Sequence, residues 1–123
     1  MADKKQVLVV DDAEMNRKLI SNFLKIKGYE VVCAEDGLKA LKCCSAKNYD
    51  LVFTDIEMPN MNGIEFLRSA KRNPVYGTVP FVVLSTLDTD VMRDKAKSFG
   101  AFYYMVKPFN TVKMDDVFKK LGW

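Results

Sequence analysis

The chain has 123 residues, enough for one domain with a continuous core and short of what two would need. Its 19 Lys and Arg against 16 Asp and Glu leave a formal charge of +3, far from the dense basic surface of a dedicated nucleic-acid binder. No apolar run approaches the roughly 18 residues of a membrane helix and the opening "MADKKQ" lacks the apolar stretch of a secretory signal, so a cytoplasmic protein that neither inserts into membranes nor binds nucleic acid is expected.

Taken in order, the chain alternates between two periods. Val7 to Val10 is a short apolar, β-branched run that reads as a strand and exits into Asp11 and Asp12. From Met15 to Ile26 the apolar residues Met15, Leu19, Ile20, Phe23, Leu24 and Ile26 fall mostly on one helical face, with Arg17, Lys18, Asn22 and Lys25 opposite and Gly28 as the stop. A second strand, Val31 to Ala34, leads through Asp36 as a cap to a helix near Leu38 to Ala46. The third strand, Leu51 to Thr54, ends at Asp55. Asn62, three residues before Glu65, has the spacing of a capping box for a helix from Ile64 to Lys71. The fourth strand, Phe81 to Ser85, is followed by Thr86, then by Asp88 as the expected cap of a helix from Val91 to Phe99, which Gly100 closes. The fifth, Phe102 to Val106, exits into Lys107, and Asn110 is placed to cap a last helix from Val112 to Leu121. Such alternation predicts an α/β fold: one doubly wound sheet of five parallel strands joined by right-handed crossovers, with five helices on its two faces.

Cys33, Cys43 and Cys44 show no CxxC spacing, and no histidine is present to complete a zinc site. They read as small apolar residues in a reducing compartment.

Ligands of an open parallel sheet bind beyond the carboxyl ends of its strands. What leaves the strands here is Asp11 and Asp12, Asp55, Ser85 and Thr86, and Lys107. Any one of these has an ordinary explanation, since an aspartate after a strand is often a helix cap or turn former. Together, three carboxylates, a hydroxyl pair and an ammonium match the needs of phosphoryl transfer to a carboxylate. Donor and acceptor are both anionic, so the reaction calls for a divalent cation and a fixed positive charge near the transferring oxygens. Adjacent carboxylates that repel one another become ligands when Mg²⁺ arrives.

The series "VLVVDD", "LVFTDIEMPNMNG", "FVVLST" and "VKPF" resembles the receiver domain of two-component response regulators, over essentially the whole chain from Val7 to Trp123. The free-standing chemotaxis type, CheY-like, is the most similar in its "KKLGW" ending. The resemblance implies the flavodoxin-like strand order 2-1-3-4-5 and a single receiver domain over residues 1–123 without an output domain. It implies that Asp55 accepts a phosphoryl group from a phosphohistidine of a sensor histidine kinase or histidine phosphotransfer domain. Asp12 would hold Mg²⁺ directly, Asp11 chiefly through water, and Asp55 and the backbone carbonyl of Glu57 would be further ligands, with Mn²⁺ or Ca²⁺ as substitutes. Ser85 and Lys107 would grip the phosphoryl oxygens, Lys107-Pro108 would be a cis peptide, and Tyr104 would be the aromatic that turns inward with Ser85 on activation. Such a protein is a phosphoacceptor that assists its own phosphorylation and dephosphorylation rather than an enzyme acting on a separate substrate.

Three positions depart from the pattern, the first being Ile56, which replaces the aromatic of some chemotaxis members. Glu57 puts a carboxylate where the chemotaxis type often has a neutral amide, which predicts firmer divalent-ion binding and an altered phosphoryl lifetime. Thr86 is bulkier than the small residue common there and is expected to narrow the path to Asp55. With no histidine of its own, the chain must take its phosphoryl group from outside. Its output is expected to be a protein contact through the fourth helix, fifth strand and fifth helix, where Met92, Lys95, Phe102, Lys113 and Lys119 are candidates, most simply with a flagellar motor switch. The alternatives are a phosphorelay intermediate that passes the group to a histidine phosphotransfer domain, and a non-phosphorylated scaffold. An aspartate-nucleophile phosphatase would need a DxD motif where this chain reads "DDAE", and a flavodoxin-like binder would need a phosphate loop that these acids would repel.

Overall fold

The computed structural model describes residues 4–123. Five strands form one parallel sheet: β1 (Gln6–Val10), β2 (Glu30–Ala34), β3 (Leu51–Asp55), β4 (Phe81–Ser85) and β5 (Tyr103–Val106), in the order β2-β1-β3-β4-β5. Helices α1 (Glu14–Ile26), α2 (Gly37–Ala46), α3 (Gly63–Lys71), α4 (Asp90–Ser98) and α5 (Thr111–Leu121) follow the strands in turn, and a 3₁₀ turn at Pro74–Tyr76 lies between α3 and β4. The five-stranded, doubly wound α/β architecture and its strand order are those expected from the sequence.

Alternate residues of each strand point to opposite faces, and the core accordingly has two halves. Leu8, Val10, Val52, Phe81 and Val83 pack with Ala40, Phe66, Leu67 and Ala96 of α2, α3 and α4. Val7, Val9, Phe53, Leu84 and Met105 pack with Ile20 and Leu24 of α1 and with Met114, Val117 and Phe118 of α5. The central strands β3 and β4 are buried at every residue, whereas the edge strands β2 and β5 are only partly buried. A strand covered on both faces has no use for polar alternation, which is why "LVF" and "FVVL" read as continuous apolar runs.

Side-chain caps begin four helices. Asp36 accepts the Lys39 N–H at 2.8 Å, Asn62 the Glu65 N–H at 2.9 Å, and Asn110 the Lys113 N–H at 3.1 Å. At α4 the expected cap is corrected. Thr89, not Asp88, receives the Met92 N–H at 3.2 Å, and the Asp88 carboxylate is paired with Arg93 instead. β5 starts at Tyr103 rather than Phe102, which is 45% exposed. Both predicted stops hold, Gly28 at φ +90° and Gly100 at φ +105°.

The apolar face of α1 needs correcting too. Ile20 and Leu24 enter the core, but Met15 is 82% exposed and Ile26 87%. Cys33 is exposed, with its thiol 3.1 Å from the Ser21 hydroxyl, so only Cys44 is a core residue as expected and Cys43 is half-buried. Among the described residues no helix is long and apolar enough to cross a membrane.

Candidate functional site

The sheet register assembles the site. Val10 stands opposite Thr54, so the next residues, Asp11 and Asp55, leave adjacent strands side by side, and Ser85 opposite Val106 brings Thr86 and Lys107 to the same end. Ligand atoms of Asp11, Asp12 and Asp55 all lie within 4.8 Å of one another. Asp11 and Asp55 are buried, while Asp12 is open to solvent.

Neither acid of the pair is used as a helix cap. Ala13 precedes α1 and offers no side-chain cap, and Asp11 Oδ1 instead accepts the Ala13 N–H at 2.9 Å in a tight turn. The other Asp11 oxygen accepts from Lys107 Nζ at 3.1 Å. The same ammonium lies 3.1 Å from Asp55 Oδ1, within ion-pair range but not aligned as a hydrogen-bond donor, so this buried oxygen has no hydrogen-bond partner.

The electrostatics follow from that crowding. Burial, reinforced by the Asp11 charge and more weakly by Glu57, pushes the Asp55 carboxyl up to about 7, against the opposing pull of Lys107. Burial alone would lower Lys107, but the facing carboxylates of Asp55 and Asp11 more than offset it and hold its ammonium above the ordinary lysine value. One cation therefore faces two buried carboxylates and a third at the rim. A buried carboxylate oxygen without a hydrogen bond, beside two further acids, is the donor set of a hard divalent cation, and these residues fit Mg²⁺.

Ser85 is fully buried at the end of β4. Its hydroxyl donates to Glu57 Oε1 at 2.9 Å and accepts the Leu87 N–H at 3.0 Å. Glu57 is exposed, and its carboxylate is directed at Ser85 and lies outside the three-acid cluster. Thr86 is exposed beside Lys107, Pro108 and Phe109 and lines a cavity of about 340 Å³ with them. Tyr104 is half-buried on β5, its hydroxyl donating to the Leu87 carbonyl at 2.6 Å and its ring under the Arg93 guanidinium, 5.1 Å away. The Lys107-Pro108 peptide is cis, as expected. On the far face, Lys95, Phe102, Lys113 and Lys119 are exposed and Met92 is half-buried.

Two supports were missed in the sequence. Arg17, read there as part of a solvated face, turns back to donate to the Asp11 carbonyl at 2.7 Å and fixes the start of the acid pair. Gly63 packs against β3 so closely that a Cβ on it would collide with the Asp55 carbonyl oxygen. The signal for the second was a glycine at the first position of a helix, where a better helix former is expected.

A doubly wound parallel sheet with an acid cluster and a bracing lysine at its carboxyl edge puts the chain in the class of open α/β proteins that bind ligands beyond the ends of their strands. Within that class, this chain belongs to the response regulator receiver domain family, whose pattern it matches over residues 7–119. It is 33% identical over 115 residues to a probable chemotaxis protein CheY of Rhizobium etli, across 93% of this chain and 89% of that one. The chemotaxis response regulator CheY4 of Vibrio cholerae superposes with a TM-score of 0.91 at 31% identity, covering 97% of this chain and 99% of that chain. The receiver domain of Francisella response regulator 1452 gives a TM-score of 0.85 at 27% identity, covering 97% and 94%.

Proposed function

We propose that Asp55 accepts a phosphoryl group from a phosphohistidine on a sensor kinase or histidine phosphotransfer domain, and that the modified protein acts as a cytoplasmic signalling switch. The observation carrying this reading is the buried Asp55 oxygen that has no hydrogen bond, set between Lys107 and two further carboxylates. In the transfer, an Asp55 carboxylate oxygen attacks phosphorus, the P–N bond of the donor breaks, and the imidazole nitrogen leaves with the electron pair. Asp11, Asp12, Asp55 and the Glu57 carbonyl would hold Mg²⁺, whose chemistry when bound is to neutralise the phosphoryl oxygens facing an acidic pocket.

The chain's own residues supply the rest. Lys107 favours the ionised form of Asp55 that attacks, against the opposing effect of burial, and then pairs with a phosphoryl oxygen. Ser85 donates its hydroxyl proton to another. Phosphorylation adds roughly 1.5 to 2 negative charges and new acceptor oxygens. That draws Ser85 and the segment after β4 toward Asp55 and changes where Tyr104 rests, so a partner reading the α4, β5 and α5 face distinguishes the two states. The likeness to chemotaxis regulators supports a flagellar motor switch as that partner.

The test is intact mass after treatment with acetyl phosphate and Mg²⁺. The expected result is an adduct of about 80 Da that is absent in Asp55→Asn and absent with EDTA. A protein that gains no mass and binds no beryllofluoride with Mg²⁺ overturns the reading and leaves a scaffold. Once labelled, retention of the phosphoryl group with capture by a motor switch protein supports the chemotaxis output, and rapid transfer to a histidine phosphotransfer domain supports a relay.

A further inference from the structure

Glu57 stands two residues beyond Asp55 on an exposed loop, yet its carboxylate is engaged. Oε1 accepts the Ser85 hydroxyl at 2.9 Å, Ser85 Oγ accepts the Leu87 N–H at 3.0 Å, and the Leu87 carbonyl accepts the Tyr104 hydroxyl at 2.6 Å. The three bonds form one unbroken chain from the rim of the acidic pocket to β5.

A serine hydroxyl has a single proton to give. Ser85 is fully buried, so no water competes freely for that proton, and its present acceptor is a carboxylate, which makes the bond of the stronger, charge-assisted kind. A phosphoryl oxygen on Asp55 needs the same proton. The two acceptors therefore exclude each other, and the choice between them sets the direction of Oγ, on which the Leu87 amide hangs, and through Leu87 the position of the Tyr104 hydroxyl.

We infer that Glu57 is a latch on the resting state: a positioning residue that holds the Ser85 hydroxyl, and with it Leu87 and Tyr104, in the arrangement seen here until a phosphoryl group on Asp55 takes the proton away. The inference rests on the phosphoacceptor reading of Asp55 for its consequence in signalling, but the latch itself belongs to the unmodified protein and is measurable without metal or phosphate. It differs from an effect of the Glu57 charge on a cation, because a latch depends on an acceptor atom and a charge effect does not. Glu57→Gln keeps a carbonyl oxygen at the site and loses the charge. Glu57→Ala loses both.

The experiment is native-state hydrogen exchange at the Leu87 amide in EDTA, for the wild type, Glu57→Gln, Glu57→Ala, Ser85→Ala and the double variant Glu57→Ala/Ser85→Ala. The expected order is slowest exchange in the wild type, intermediate in Glu57→Gln and fastest in Glu57→Ala, the last faster than wild type by on the order of tenfold. With Ser85 already removed, Glu57→Ala should add nothing further. Exchange in Glu57→Ala at the wild-type rate overturns the latch, as does Glu57→Gln indistinguishable from Glu57→Ala. Acetyl phosphate labelling of the same samples separates the two readings. No adduct with the exchange order intact sinks the phosphoacceptor reading alone, and an adduct with unchanged exchange sinks the latch alone.

Discussion

Asp55 is surrounded by more negative charge than Lys107 balances, and this has a measurable effect on stability. A carboxyl whose folded value is raised from 3.8 to about 7 binds its proton more tightly in the folded chain. Its protonation thus favours folding fully below the unfolded value, and that contribution is lost as the pH rises through 7. Asp55→Asn carries no such titration and leaves Asp11 in a one-to-one pair with Lys107. In EDTA the variant should match the wild type near pH 4 and exceed its stability at pH 8 by on the order of 3 kcal/mol, read from denaturant melts at both pH values. A variant less stable than wild type at pH 8 would show that the Asp55 charge is already compensated. The acids, Ser85 and Lys107 were legible in the sequence because each follows an apolar run at a strand end. Arg17 and Gly63 were not, because their work lies in distances between elements: an arginine reaching back to a strand terminus, and a helix start pressed against a backbone carbonyl.

Among the elements, α2 shows how a loop is tied to a helix start. Asp36 accepts the Lys39 N–H with one oxygen and the Asn60 side-chain amide, at 2.9 Å, with the other. These bonds, the Lys39 N–H foremost, hold its carboxyl below the usual aspartate value despite burial. A depressed carboxyl stabilises the fold fully above the unfolded value of about 3.9 and loses that contribution as the pH falls through the folded one. Asp36→Ala should therefore cost about 1 to 2 kcal/mol at pH 7, with the difference from wild type shrinking below pH about 4 in urea titrations. A cost that stays constant down to pH 2 would assign it to packing. Element types and order were readable from period and punctuation, but two details were not. "LDTD" offers three cap candidates in a row, and only the turn geometry decides that Thr89 faces the helix while Asp88 meets Arg93. On α1, at about 100° per residue, Met15 and Ile26 lie more than about 100° round the helix from Ile20 and Leu24, so the apolar arc is wider than the core covers and periodicity overstates what is buried.

At the scale of the molecule, a cation held by the three acids would tie metal binding to folding. A ligand that binds only the folded chain stabilises it by RT ln(1 + [L]/Kd), about 2.7 kcal/mol at a hundredfold excess over Kd. Mg²⁺ should raise the melting temperature of the wild type and shift Asp55→Asn much less. Equal shifts in the two proteins would place the cation elsewhere. The alternation of strands and helices gave away the doubly wound class. The order β2-β1-β3-β4-β5 came from family resemblance, since pattern alone does not say which side of β1 the chain crosses to.

The two loops beside Asp55 are fastened differently. Residues 56–62 are secured at their base by main chain, the Ile56 N–H to Leu84 and the Gly63 N–H back to Ile56, with Gly63 wedged against Asp55, and farther out by the Asn60 side-chain amide on Asp36. Residues 86–89 are tethered on the pocket side by side chains, Ser85 below and Tyr104 above, and all four are exposed. Main-chain fastenings cannot be exchanged without unmaking the fold, while a hydroxyl changes partner by turning about one bond. The site is thus mechanically lopsided: strain arising at Asp55 meets a wall toward α3 and a yielding side toward α4. The direction of the signal is set by which loop can let go.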